Sequence, residues 1–158
     1  MFGSHLIVAA AGNATLVYAT SGGTFPPWHV FTLNGLLVLT GCILPDIDTP
    51  KSRVGRALPF IAYPISLILG HRGVTHSLLM VTAIGLAAYY YDFGWLFWIA
   101  FGYLMHLLGD YLTDSGIPAF WPSRKRFRFV LFGSTNTISE PIIVLLFLGA
   151  CAGVWSFV

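Results

Sequence analysis

The chain has 158 residues, of which 56% are hydrophobic and only 9% are charged, and its eight basic and six acidic residues give a formal net charge of +2. A soluble globular domain carries about 25% charged residues, so this chain is too poor in charge to cover a water-facing surface. The composition excludes an ordinary cytosolic enzyme, a disordered tail and a solvated nucleic-acid binder, and it indicates a lipid bilayer as the solvent. At about 20 residues per spanning helix, the length allows four to six spans in a single domain covering residues 1–158.

Apolar stretches in the sequence predict an all-α integral membrane bundle with five spans. The first span covers 5–20, and because no Lys or Arg precedes it, we expect it to be retained rather than cleaved as a signal peptide. The segment 57–70 is apolar but only about 14 residues long and contains two prolines, so it is predicted to be re-entrant or interfacial. The other predicted spans cover 28–44, 74–91, 94–112 and 138–157.

The basic residues predict the orientation of this bundle. All eight lie in the 45–56 loop, directly before the third span, or in the 113–137 loop. If 57–70 enters the membrane and returns, these places share one side, which the positive-inside rule assigns to the cytoplasm. The protein is therefore predicted to be integral to the cytoplasmic (inner) membrane, with its N-terminus inside and its C-terminus outside. Nine of the eleven Asp, Glu and His residues fall on the same side: His5, Asp46, Asp48, His71, His76, His106, Asp110, Asp114 and Glu140.

These nine residues predict a metal site. A charged side chain at the bilayer centre costs about 2.5 kcal/mol or more, so ionisable groups near membrane depth need partners. Their convergence from several helix ends points to a divalent metal, because imidazole combined with carboxylate suits zinc, iron or manganese. His106 and Asp110 are the sharpest local signal, since a spacing of four residues places both on one helix face. Asp114 follows one turn later, near the helix end.

Two carboxylates after the second span, Asp46 and Asp48, can point the same way in an extended chain. One of the two would bind the metal, and the other would orient a ligand or act as a second metal ligand. Helix termination and solvation of the loop are the alternative roles for these aspartates. His5 and Glu140, at the starts of the first and last spans, are further candidate ligands. An interfacial histidine and a carboxylate favoured by the helix dipole are the alternatives for these two positions.

A second motif precedes the third span and contains His71, Arg72 and His76. The two histidines would diverge on a continuous helix, but they converge if His71 lies in a loop and His76 in the first helical turn. Arg72 is a candidate phosphate binder, with a positively charged membrane anchor as the alternative. The hydroxyl of Thr75 or Ser77 is expected to satisfy free backbone N–H groups at the helix start.

Taken together, these motifs resemble the YdjM family of predicted membrane-bound, metal-dependent hydrolases. The resemblance extends from residue 5 to about residue 140, and the order of the motifs is specific where any one alone would not be. The family is distantly similar to the zinc-dependent phospholipase C and P1 nuclease group, which is helical, holds a cluster of zinc ions and cleaves phosphoesters. The matching pieces are His5, Leu44-Pro45-Asp46-Ile47-Asp48, His71-Arg72-Gly73-Val74-Thr75-His76-Ser77 and His106-Leu107-Leu108-Gly109-Asp110-Tyr111-Leu112-Thr113-Asp114-Ser115-Gly116.

The more distant resemblance implies a ligand set. This sequence departs from that group near its end, because Asn136 stands four residues before Glu140 where a histidine is expected, and a further histidine pair is missing. The site is therefore expected to hold one to three ions, with one or two favoured, and His76 as a substitute ligand. Zinc is the first expectation, with manganese or iron as alternatives. The ligands carried over are His5, Asp46 or Asp48, His71, His106 and Asp110, with Asp110 as the bridging carboxylate.

The expected activity is metal-assisted hydrolysis of a phosphoester in a lipid or lipid-like substrate at the cytoplasmic face of the membrane. Asp48 or Asp114 would act as general base, and Arg72 would hold the phosphate. The expected partner is a membrane lipid rather than a nucleic acid, and the oligomeric state is left open.

Two alternatives involve no hydrolysis. A metal-binding transporter or channel requires polar residues that continue to the outer face, where His29 and Asp92 are the only Asp, Glu or His residues and are isolated. A non-catalytic scaffold requires a closed structural site with four ligands.

Overall fold

The computed structural model describes residues 2–69, 73–113, 116–123, 125–129 and 139–157. Within these ranges the chain is helical apart from loops and one isolated β-bridge between Ile117 and Phe127, so the predicted all-α class is confirmed. The α-helices are α1 (Phe2–Thr20), α2 (Trp28–Ile43), α3 (Arg53–Ala57), α4 (Pro59–Leu69), α5 (Leu78–Tyr90), α6 (Gly94–Tyr111) and α7 (Ser139–Phe157), and the two 3-10 turns are η1 (Leu44–Asp48) and η2 (Val74–His76).

Three helices among the described residues are long and apolar enough to cross a membrane: α1, the continuous stretch Trp28–Asp48, and Glu140–Phe157 in α7. They correspond to the first, second and fifth predicted spans. The third predicted span is shorter than expected, because η2 occupies its start and α5 has only 13 residues, or about 20 Å. The fourth, α6, has 18 residues but carries polar side chains in its last turns. The finer count of five crossings stays a prediction.

Described residues before and after the segment 57–70 meet at one end of the bundle. Helix α4 has 11 residues, which gives a length of about 16 Å against a hydrocarbon thickness of about 30 Å. Asp48 precedes this helix and His76 follows it, and Asp48 Oδ2 lies 3.2 Å from His76 Nδ1. The chain therefore returns to the place from which it left, which is the path that a re-entrant or interfacial segment requires.

The centre of the bundle is the interface between α2 and α6, the most extensive contact between two helices in the described chain. Two glycines allow this approach. A Cβ on Gly41 would overlap the carbonyl group of Ile99, and a Cβ on Gly102 would overlap the carbonyl group of Val38. Small residues at membrane helix interfaces let the backbones come close enough for extensive van der Waals contact.

The loop after α6 packs back onto the bundle through backbone hydrogen bonds. Ile117 and Phe127 exchange two such bonds, at 2.9 and 2.8 Å, and the amide of Leu78 donates to the carbonyl of Ala119 at 3.1 Å. This loop therefore covers one side of α5 and α6. The loop contributes to one of two buried apolar clusters, which is formed by Tyr103, Leu107, Ile117 and Ala119. The other cluster lies between α1, α2 and α6 and is formed by Val8, Ala9, Val38, Cys42 and Met105.

Candidate metal centre

Among the described residues, five side chains that could act as metal ligands converge from four elements at one end of the bundle. Helix α1 provides His5, η1 provides Asp46, η2 provides His76, and the last turns of α6 provide His106 and Asp110. The three histidines and Asp110 are buried, and Asp46 is partly buried. The structure thus brings together residues that are separated by up to about a hundred positions, as the predicted common side of the helix ends requires.

Asp110 lies at the centre of this cluster. Its Oδ1 is 3.3 Å from Nε2 of His5, while its Oδ2 is 3.6 Å from Nε2 of His76 and 3.9 Å from Nε2 of His106. The two carboxylate oxygens therefore face different histidines. The spacing of four residues on α6 explains the last of these contacts, because it aligns Asp110 with His106 along one helix face.

His106 connects the two sides of the cluster. Its Nε2 lies 3.9 Å from Asp46 Oδ1, and its ring centroid lies 4.6 Å from that of His5 and 5.5 Å from that of His76. Its Nε2 is buried and makes no hydrogen bond to the described residues, and it faces carboxylates from two elements.

The donor set fits a divalent cation. The Nε2 atoms of His76 and His106 are buried and have no hydrogen-bond partner among the described residues, a costly state for polar atoms that a bound ion would relieve. Imidazole nitrogens with carboxylate oxygens are the ligands of zinc, manganese and iron sites. In two groups the donor atoms all lie within 4.8 Å of one another: His5 with His106 and Asp110, and Asp46 with His76 and His106.

Asp48 lies next to this cluster and contacts one of its members, His76. It is fully buried, and it accepts hydrogen bonds from the hydroxyl of Thr49 at 2.8 Å and from that of Thr75. Its Oδ2 also contacts Nδ1 of His76 at 3.2 Å. Of the two roles predicted for the second aspartate of the pair, this geometry favours orientation of a ligand, because a carboxylate bonded to an imidazole Nδ1–H fixes the ring.

The remaining predicted site residues are not part of the cluster that the structure describes. His71, Arg72 and Asp114 lie outside the described residues, so the roles assigned to them stay predictions. Glu140 is in the first turn of α7, where Ser4 of α1 donates a hydrogen bond to its Oε1, and it is in neither of the two converging groups.

The expected helix-start role of the hydroxyls before α5 is wrong. No side chain caps α5, because Thr75 bonds to Asp48 and Ser77 donates to the carbonyl of Val74 at 2.6 Å. Sequence reasoning also missed Tyr103, whose hydroxyl donates to the carbonyl of Thr75. A signal for Tyr103 was present, since it precedes His106 by three residues and so shares its helix face.

Gly109 gives His5 the space that it needs. A Cβ at this position would lie 2.8 Å from Cδ2 and 2.9 Å from Nε2 of the His5 ring. We expect Gly109→Ala to push His5 out of place and to weaken zinc binding by about tenfold or more. Gly85→Ala on α5 is the matched control, because nothing lies within 4 Å of its Cβ. A competitive zinc titration against a chelator measures both, and equal affinities in the two variants would contradict this placement of His5.

Known proteins similar to this chain include two that are named as inner membrane proteins. The family described as YdjM inner membrane protein matches residues 1–157. Inner membrane protein YdjM of Escherichia coli (strain K12) is 40% identical over 148 residues, which cover 87% of this chain and 72% of the relative, and the Shigella flexneri protein of the same name matches equally.

Another relative is less similar. Uncharacterized protein YvsG of Bacillus subtilis (strain 168) is 32% identical over 114 residues, which cover 70% of this chain and 71% of the relative. No solved structure matches the chain. The match over almost the whole length, together with the apolar helices, shows that this chain belongs to the YdjM family of inner membrane proteins.

Proposed function

We propose that this protein is a membrane-embedded, metal-dependent hydrolase that cleaves a phosphoester of a lipid or lipid-like substrate. The observation that carries the proposal is the buried convergence of three imidazoles and two carboxylates at one end of an otherwise apolar bundle. Such a cluster is costly in a membrane unless it has a function or a partner that offsets its burial. The resemblance to zinc-dependent phosphoesterases supports hydrolysis as the reaction. That resemblance stays a prediction.

The residues that would hold the ion are His5, Asp46, His76, His106 and Asp110. Zinc is the expected ion, with manganese or iron as alternatives, and the two overlapping groups of donors accommodate one or two ions. When bound, a divalent ion lowers the pKa of a water molecule that it holds and stabilises negative charge developing on a phosphoester.

The other predicted residues would act around this centre. Arg72 would hold the phosphate through its two parallel N–H groups, and Asp114 would be the general base. Asp48 is better suited to positioning His76, since hydrogen bonds from Thr49, Thr75 and His76 engage its oxygens. Asp114 is therefore the carboxylate that we propose as the general base.

An apolar groove on α6, the helix that carries His106 and Asp110, supports a lipid-like substrate. It has a volume of about 310 Å³ and is lined by residues of α5, of α6 and of the described part of the following loop. Leu107 and Tyr111 in its wall directly follow His106 and Asp110 in the sequence, and Phe127 also lines it. A chain of methylene groups in this groove would bring an attached headgroup to the end of the bundle where the histidines and aspartates converge.

The basic residues support a cytoplasmic location for this end. Lys51, Arg53 and Arg56 follow η1 closely in the sequence, and all three are exposed. Because loops rich in Lys and Arg stay in the cytoplasm, we propose that the cluster faces that side, with the N-terminus inside and the C-terminus outside. The substrate would then enter from the inner leaflet.

Hydrolysis assays on the protein in liposomes test this proposal. Zinc-loaded wild type is expected to release phosphate or headgroup from long-chain phospholipids, and much more slowly from water-soluble phosphoesters that carry the same headgroup. Chelation and Asp110→Asn are each expected to abolish the release. If the protein binds zinc in stoichiometric amounts yet cleaves no phosphoester in such a panel, the hydrolase proposal is wrong and a structural metal is favoured.

A further inference from the structure

A chain of buried hydrogen bonds reaches His76 from the interior of α6. The hydroxyl of Tyr103 donates to the backbone carbonyl of Thr75, and the hydroxyl of Thr75 donates to Oδ2 of Asp48. The same Oδ2 lies 3.2 Å from Nδ1 of His76. All four residues are buried, with Asp48 at 0% and His76 at 1% exposure, so water competes with none of these bonds.

The direction of these hydrogen bonds follows from the chemistry of the groups that make them. An ionised carboxylate can only accept a hydrogen bond. Nδ1 of His76 therefore carries a hydrogen and donates a hydrogen bond to Asp48. The opposite ring nitrogen, Nε2, then presents a lone pair to the cluster, where it lies 3.6 Å from Asp110. This tautomer is the one that a metal ligand needs, and a carboxylate behind a ligating histidine is a common way to select it.

Thr75 has three contacts that hold this arrangement. Its hydroxyl donates to the Asp48 carboxylate and lies 3.3 Å from Nδ1 of His76, and its backbone carbonyl receives the Tyr103 hydroxyl. Tyr103 is on the helix that carries His106 and Asp110, three and seven residues before them, and therefore on the same face. One helix thus supplies two of the donors and also fixes the short turn that supplies a third.

We propose that Thr75 and Tyr103 are positioning residues that set the tautomer and orientation of His76 for metal binding. This inference rests on the metal centre of the proposed function. It assigns the Thr75 hydroxyl, rather than its methyl group, to the task of holding Asp48. It also assigns the Tyr103 hydroxyl to holding the backbone of η2.

A matched pair of substitutions at Thr75 separates the hydroxyl from the packing of the side chain. Thr75→Val keeps the shape and removes the hydroxyl, whereas Thr75→Ser keeps the hydroxyl and removes the methyl group. We expect Thr75→Val to weaken Co²⁺ binding by about 10- to 100-fold, in the range of changes to groups that orient metal ligands. Thr75→Ser is expected to stay within about threefold of wild type. The visible absorption of bound Co²⁺ reports the ligand geometry independently of any activity.

Tyr103→Phe provides the second test, and it carries the inference if Thr75→Val does not fold. It removes one hydroxyl and keeps the ring, and we expect it to weaken Co²⁺ binding by about tenfold and to change the absorption spectrum of the bound ion. Size-exclusion chromatography and the helical circular dichroism of each detergent-solubilised variant establish that it is folded.

The outcomes distinguish this inference from the proposed function. If wild type binds no Co²⁺ or Zn²⁺, the metal centre itself is wrong and the inference is overturned with it. If wild type binds Co²⁺ and the Val and Phe variants bind it equally well, only the positioning role is wrong. Equal losses in Thr75→Val and Thr75→Ser also overturn it, because they would assign the effect to packing.

Discussion

Replacing His106 with alanine is expected to remove metal binding altogether. His106 is the one residue common to both converging donor groups, and its Nε2 lies 3.9 Å from both Asp46 and Asp110. Without it each group keeps only two ligands, and tetrahedral zinc sites use at least three protein ligands. We expect the zinc content to fall to background and any hydrolysis to fall with it.

Substitutions in one group alone are expected to have smaller effects. His5→Ala removes a ligand from one group, and Asp46→Ala removes one from the other. If two ions bind, each variant keeps about half of the zinc, whereas His29→Ala keeps all of it because His29 is exposed at the start of α2. Zinc titration with a chromophoric chelator measures the series. Full zinc binding by His106→Ala would contradict the shared role of this residue.

Replacing Gly102 with alanine is expected to cause the largest loss of stability. Its Cβ would overlap the carbonyl group of Val38, and Gly41→Ala would produce the same clash with the carbonyl group of Ile99. Backbone atoms in a helix cannot move aside as a flexible side chain can, so α2 and α6 must separate. Overpacking of this kind costs about 3 kcal/mol, and it also disturbs the last turns of α6, which carry two of the donors.

Gly85→Ala is the matched control for this prediction. Gly85 is within α5, and nothing lies within 4 Å of a Cβ built on it. Because glycine is unfavourable in a helix interior, this change is expected to be neutral or to stabilise by up to about 1 kcal/mol. Unfolding in mixed detergent micelles, followed by circular dichroism, compares the two. Equal stability of Gly102→Ala and Gly85→Ala would show that α2 and α6 are not this close.

Much of the candidate site could be predicted from the sequence because its signals are local or set by topology. The pairing of His106 with Asp110 follows from helical spacing alone. The convergence of His5 and Asp46 on that pair follows from the basic loops and from a segment, 57–70, too short and proline-rich to cross the membrane. These inferences required no knowledge of how individual side chains pack.

The remaining features depend on contacts between distant parts of the chain. Thr75 and Asp48 are 27 residues apart, and nothing in either motif shows that their side chains meet. The hydroxyl of Thr75 was expected at a helix start because local capping is the common use of threonine there. The contact with Asp48 prevails because a buried carboxylate needs hydrogen-bond donors more than a helix end near water does.

The number of membrane spans is also hard to predict from the sequence, because it depends on local structure that the amino-acid composition does not reveal. The sequence before α5 is compatible with a helix, but the 3-10 turn η2 directs His76 into the cluster and delays the helix to Leu78. Ser4 of α1 donates a hydrogen bond to Glu140 at the start of α7, and the ligand role of Glu140 stays a prediction. The late start of α5 depends on tertiary contacts, which the pattern of apolar residues does not show.

The most direct test of a metal centre at this end of the bundle is elemental analysis of metal per chain. The protein would be purified in mild detergent and incubated with zinc or manganese before removal of free ions. We expect one or two ions per wild-type chain, the loss of one ion per chain in Asp110→Asn, and wild-type levels in Asp92→Asn, since Asp110 is in one donor group and Asp92 lies in the α5–α6 turn. Absence of metal from the wild type after this treatment, or equal metal in the two variants, would contradict the account.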